Sequence, residues 1–161
     1  SLLPALADVP TLLLATPGAA ARALAQTTAP RGLRCVQLPW LTQPDYDRLL
    51  WSCDLNFVRG EDSFVRAQWA GAPFVWQIYA QADGAHAAKL DALLDRLTTG
   101  RDSALGSSLR QLWRAWNRLE AWPAALPDTV AWRALCQAWR QGLTRQPDLT
   151  SRLLRFVTAK R

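Results

Sequence analysis

At 161 residues the chain can bury a proper core but is too short for two typical α/β domains, and half of it is hydrophobic, which excludes a disordered chain. No apolar run reaches the ~18 residues of a membrane-spanning helix. The net charge of +6 is unevenly placed: residues 1–100 hold eight Lys/Arg against nine Asp/Glu, and residues 101–161 hold eleven against four.

Ser1-Leu-Leu-Pro-Ala-Leu6 reads as a helix already in progress, so a domain or fragment of a longer protein is expected. Thr11–Thr16 reads as a buried strand; it is too short for a signal-peptide core, and no basic segment precedes it. Gly18 introduces a helix over Ala19–Gln26, and Leu33–Leu38 is the next strand. A helix follows over Pro44–Cys53, since proline tolerates the first turn and Asp45 suits the dipole there. Leu55–Val58 is a short apolar run fit for a strand buried on both faces. The polar turn Arg59-Gly-Glu-Asp-Ser63 leads to a helix over Phe64–Ala70, which stops at Gly71 before Pro73. Phe74–Tyr79, rich in β-branched and aromatic residues, is the next strand. A long helix runs from Gly84 to about Leu97, with Leu90, Leu93, Leu94 and Leu97 at helical spacing. This alternation indicates a parallel sheet with right-handed crossovers.

Beyond Gly100 the strands stop. Leu109, Leu112, Trp113, Trp116 and Leu119 form one helix stripe, and Trp132, Leu135, Cys136 and Trp139 a second. Leu149, Leu153, Phe156 and Val157 form a third. Residues 101–161 therefore read as a helical segment packed on the core formed by residues 1–100. The tryptophans are core or interface material first; stacking on nucleic-acid bases is the sharper alternative. Arg110, Arg114 and Arg118 lie four apart and predict a basic stripe, either a solvated face or an attractor of an acidic partner. Cys35, Cys53 and Cys136 lack CxxC spacing and lie in hydrophobic contexts, which predicts buried free thiols in a reducing cytoplasm. The single His86 has no paired ligand at useful spacing, so no metal is expected, and it reads as a helix-surface residue.

The turn at residues 59–63 carries the chemistry. It lies at the carboxyl end of a strand and opens a helix, where free N–H groups and the positive dipole end suit a phosphate. Asp62 or Ser63 can cap that helix. Arg59 offers a planar fork of donors to phosphate, whereas Glu61 and Asp62 would repel one and suit sugar hydroxyls. Phosphate and sugar together suggest a nucleotide sugar.

Three segments carry a resemblance: Leu38–Trp51, Asn56–Gly71 and Pro73–Tyr79. They closely resemble the protein-arginine rhamnosyltransferases of elongation factor P, the EarP family, in detail over residues 33–97 and in pattern to the C-terminus. The resemblance implies a Rossmann-like parallel sheet with flanking helices, the C-terminal, donor-binding half of a GT-B glycosyltransferase. It also implies an inverting transfer of rhamnose from dTDP-β-L-rhamnose to an arginine of elongation factor P, with the general base in an N-terminal half that nothing here matches. This chain alone is then expected to bind without turning over. By the same resemblance, Gln43 with the backbone at Leu41 and Thr42 recognises thymine, and Tyr46 stacks on the base. Arg59, Gly60 and the N–H groups of Asp62 and Ser63 hold the diphosphate. Glu61 orients rhamnose or the acceptor guanidinium, and Tyr79 reaches the phosphate or sugar. Neither metal nor cofactor is implied, and the expected setting is cytoplasmic without membrane contact. Two other readings stay open: a GT-B half for another nucleotide sugar, and a non-catalytic module binding nucleotide sugars or nucleic acid.

Overall fold

Proline and glycine breaks between short apolar runs set the order of the elements in this computed structural model, which describes residues 2–6, 9–100 and 103–159. The chain runs α1 (Leu2–Leu6), β1 (Thr11–Ala15), α2 (Ala19–Ala25), β2 (Leu33–Gln37), α3 (Gln43–Ser52) and β3 (Asn56–Arg59). It continues with α4 (Glu61–Ala70), β4 (Phe74–Gln77), α5 (Ala85–Thr98), α6 (Ser103–Trp116), α7 (Thr129–Thr144) and α8 (Leu149–Ala159). Local chemistry accounts for several ends. Thr42 caps α3 by accepting from the Asp45 N–H, and Asp128 caps α7 by accepting from Val130 and Ala131. Gly71, in the left-handed region, ends α4 two residues before Pro73.

All strand pairing is parallel, but the strands do not form one continuous sheet. β1 pairs with β2 from Thr11↔Leu33 to Ala15↔Gln37, and β3 with β4 from Asn56↔Phe74 to Arg59↔Gln77. Among the described residues no hydrogen-bonded ladder joins the two pairs. The expected single parallel sheet is thus corrected to a mixed α/β fold with two small parallel ladders. Apolar cover accounts for the difference. α2 is alanine-rich and buries only Ala21, so β1 is left with Ala15 as its one buried side chain.

The main core lies elsewhere. Val58, Phe74, Val75 and Trp76 from β3 and β4 pack with Leu90 and Leu94 of α5, Leu109, Leu112 and Trp113 of α6, and Trp132 and Leu135 of α7. Phe64 of α4 stacks on Trp76 at 4.2 Å between ring centroids, and Phe74 meets the edge of Trp113 at 5.2 Å. Asn56, the buried polar residue of this region, donates from Nδ2 to the Leu50 carbonyl at 3.0 Å. The tryptophan stripes of α6 and α7 are therefore core, as Trp113 and Trp132 are fully buried. α8 buries none of its side chains, and Leu149, Leu153, Phe156 and Val157 stay exposed.

Three sequence expectations change here. Only Cys136 is a buried thiol; Cys53 is half-buried and Cys35, on the thinly covered β2, is exposed. The arginine stripe does not form. Arg110 bonds both Asp91 and Asp95 of α5, and Arg114 reaches Asp91 and Glu120 at 2.6 Å each. α6 ends at Trp116, so Arg118 and Leu119 lie beyond it. Hydrogen bonds to Glu120 and then Asp91 hold the Arg114 guanidinium above its usual pKa. Among the described residues no helix is long and apolar enough to cross a membrane.

Candidate functional site

The carboxyl ends of β3 and β4 meet the start of α5 and the end of α6 at one cleft of about 270 Å³, beside which α4 begins two residues after Arg59. It is lined by Arg59, Gln77, Ile78, Ala80, His86, Asn117 and Arg118, with no carboxylate among them. A larger cleft of about 450 Å³ lies between α4, α5 and α7. Its lining is mostly apolar helix flank, and its Gln68 amide oxygen already accepts from Trp139 Nε1 at 2.9 Å. The smaller one gathers the polar groups.

Gly60 forms the turn. Its backbone sits at φ 78° and ψ 177°, a region open essentially to glycine alone. A Cβ there would stand 2.9 Å from the Tyr79 hydroxyl. Trp76 Nε1 donates to the Gly60 carbonyl at 3.0 Å and so fixes the peptide. α4 starts directly afterwards at Glu61, three residues before the expected start. Gly60 therefore takes the cap position that was expected of Asp62 or Ser63, and no side chain caps the helix. The first N–H groups of α4 are left as free donors at the positive end of its dipole.

The predicted site residues divide into two groups. Arg59 lines the cleft, with its guanidinium 5.1 Å over the Tyr79 ring. Gly60, Glu61, Asp62 and Ser63 follow as the turn and first helical turn. The Glu61 side chain is exposed. Asp62 is occupied by Arg66, which also makes two 3.0 Å bonds to Asp47 of α3. Leu41, Thr42, Gln43 and Tyr46 are outside this lining, at the start of α3. Thr42 is engaged with Asp45, whose carboxyl is held below its usual pKa first by Thr42 and then by Arg48. Gln43 is exposed, and Tyr46 is half-buried against the core. The Arg66–Asp47 pair, one turn into each helix, ties the two groups together.

Six lining residues, Gln77, Ile78, Ala80, His86, Asn117 and Arg118, were not among the predicted ones. Gln77 ends β4, where the ladder was expected to continue to Tyr79. It stops because the Ile78 N–H donates to Asn117 Oδ1 at 3.0 Å instead of to a strand. Asn117 Nδ2 in turn donates to the Trp76 and Trp113 carbonyls at 2.8 Å each. Arg118 then occupies a left-handed position with φ 62°. Bonds from Leu119 N to Arg114 O (2.8 Å) and from Arg118 N to Ala115 O (3.1 Å) define a Schellman end, whose left-handed position glycine usually fills. An arginine there costs about 1 kcal/mol. The Asn-Arg step after the apolar stripe was the available signal for this helix end; reading the stripe on to Leu119 concealed it. His86 is half-buried rather than on an open helix surface, and its Nδ1 accepts from the Gln81 N–H at 3.2 Å. The ring proton then sits on Nε2 as a donor.

A strand-end guanidinium, a glycine-only turn and an uncapped helix start follow one another on a parallel ladder of an α/β fold, an arrangement whose chemistry suits an anion. Residues 5–158 match the family described as Elongation-Factor P (EF-P) rhamnosyltransferase EarP, and the chain belongs to that family of glycosyltransferases. It is 48% identical over 128 residues to a protein-arginine rhamnosyltransferase of Pseudomonas aeruginosa, covering 77% of this chain and 34% of the relative. A protein of the same name from Neisseria meningitidis serogroup B is 36% identical over 135 residues, covering 78% of this chain and 35% of the relative. The chain thus spans about a third of these curated relatives. A solved structure described as the structural basis for EarP-mediated arginine glycosylation of translation elongation factor EF-P is also similar. Its TM-score is 0.80 at 38% identity, covering 98% of this chain and 55% of that one.

Proposed function

We propose that this chain is the donor-binding part of an inverting arginine rhamnosyltransferase, a Rossmann-like GT-B half that acts with an N-terminal domain supplying the general base. The donor is dTDP-β-L-rhamnose and the acceptor an arginine of elongation factor P. The observation that carries this reading is the Arg59–Gly60 turn, in which a cleft-lining arginine is followed directly by a glycine-only position and the uncapped start of α4.

The chemistry follows from that placement. Charge builds on dTDP as the glycosidic bond breaks, and a preorganised guanidinium and helix dipole stabilise it without reorganising. Gln43 and the backbone at Leu41 and Thr42 select thymine, because an unpaired buried polar group is costly, and Tyr46 stacks on the base. Tyr79 holds the Arg59 fork from below. The acceptor arginine is protonated and a poor nucleophile, so a carboxylate must take or localise a proton as the bond forms. Glu61, exposed at the start of α4 and without an ion pair among the described residues, is suited to a share of that role, with Asp62 and Ser63 supplying backbone donors. The reaction needs no cofactor, and the setting is cytoplasmic.

Calorimetric titration with dTDP-β-L-rhamnose, with UDP-glucose as control, tests this reading. Selective binding that is lost in Arg59→Ala is expected. Equal binding of UDP-glucose would point to another nucleotide sugar, and unchanged binding in Arg59→Ala would remove the assignment.

A further inference from the structure

We propose that Arg118 is a second guanidinium for the donor's diphosphate, acting with Arg59 in the same cleft; this rests on the donor-binding reading above. Three independent observations lead there. The first is backbone strain. Arg118 fills a left-handed helix-end position that glycine would take more cheaply, and the Asn117 contacts to Ile78, Trp76 and Trp113 over-determine it. A strained non-glycine residue is informative when its side chain points to a use.

The second observation is charge. Arg110 and Arg114, on the same helix, are neutralised by Asp91, Asp95 and Glu120. Arg118 forms no ion pair, and neither does Arg59 among the described residues. Their shared cleft offers both of them no carboxylate and adds a His86 ring with its N–H on Nε2. Two unneutralised guanidiniums in one cleft repel each other until an anion enters.

The third is size. A cleft of about 270 Å³ falls below the ~300–1,000 Å³ of pockets that enclose a whole ligand, so it suits a fragment such as a diphosphate. Two planar forks match two phosphates, whereas one fork satisfies a monophosphate.

The test is calorimetric titration of wild type, Arg118→Gly, Arg118→Lys and Arg59→Ala with dTDP and dTMP, together with thermal unfolding. Arg118→Gly relieves the backbone, so it folds and its Tm rises. Its affinity for dTDP is expected to fall about 10-fold or more, as for loss of hydrogen bonds to a charged group, with little change for dTMP. Arg118→Lys keeps the charge but not the fork and should fall between the two. Unchanged dTDP affinity in Arg118→Gly would reduce Arg118 to a helix end, while loss in Arg59→Ala would leave the donor reading standing. Equal losses for dTDP and dTMP would overturn the second-phosphate assignment. A wild-type chain that binds neither nucleotide would take both readings down.

Discussion

β1 and β2 are joined through α2 much as β3 and β4 are joined through α4, and both pairs run parallel in unbroken register. Their surroundings differ. α2 brings alanines, and Leu12 of β1 remains 55% exposed. α4 brings Phe64 and Ala67, α6 and α7 add Trp113 and Trp132 to the same core, and Val75 of β4 is wholly buried. A strand–helix–strand unit is thus buried only when its cover is large enough, and the Arg59 cleft lies on the covered unit. Catalytic and binding groups need such support to hold their geometry.

Several changes would break or sharpen this contrast. Trp113→Ala should have the largest effect, about 3–5 kcal/mol lost in urea denaturation, since the ring is fully buried beneath β4. Leu12→Ala on the exposed ladder should cost about 0.5 kcal/mol or less. Gly60→Ala should destabilise by about 1–3 kcal/mol and abolish donor binding, because the backbone region excludes a Cβ and Tyr79 must move. Near-wild-type titration by that variant would show the turn to be tolerant. Asn117→Ala should cost about 1–3 kcal/mol by removing the side-chain partner of the Ile78 amide and the Trp76 carbonyl, and should speed hydrogen exchange at Ile78.

The smallest effect concerns thiols. Burial pushes the Cys136 thiol up to about 12 from its usual 9.0, with the Phe74 backbone acting in the opposite sense. A raised folded pKa gives stability that is intact below the unfolded value near 9 and is lost as pH climbs through 12. Alkylation of the native protein at pH 8 should therefore mark Cys35, with Cys136 reacting only after unfolding. Equal labelling of both would mean that the core opens readily.

The order of elements was legible in the sequence because apolar runs, glycines and prolines act locally. The Arg59–Gly60 turn was legible for the same reason: its strand, glycine and helix are contiguous. Two things were not. Whether four strands share one sheet depends on the bulk that distant helices lay over them, and the alanine content of α2 was the quiet sign of thin cover. The far wall of the cleft comes from residues 86 and 117–118, brought in by folding, and no local pattern links those positions to residue 59. The spacing of Arg110, Arg114 and Arg118 suggested one face, whereas a helix end and three acids on neighbouring segments separated their roles.

The Asn117 clamp also sets an order of assembly. Its bonds to Ile78 and Trp76 span 39 and 41 residues, so the end of β4 has no partner until that later stretch has left the ribosome and folded back. Until then the Ile78 N–H and the Trp76 carbonyl lack the side chain that closes the end of the ladder. The cleft thus matures late in synthesis, well after the turn that begins it has been made.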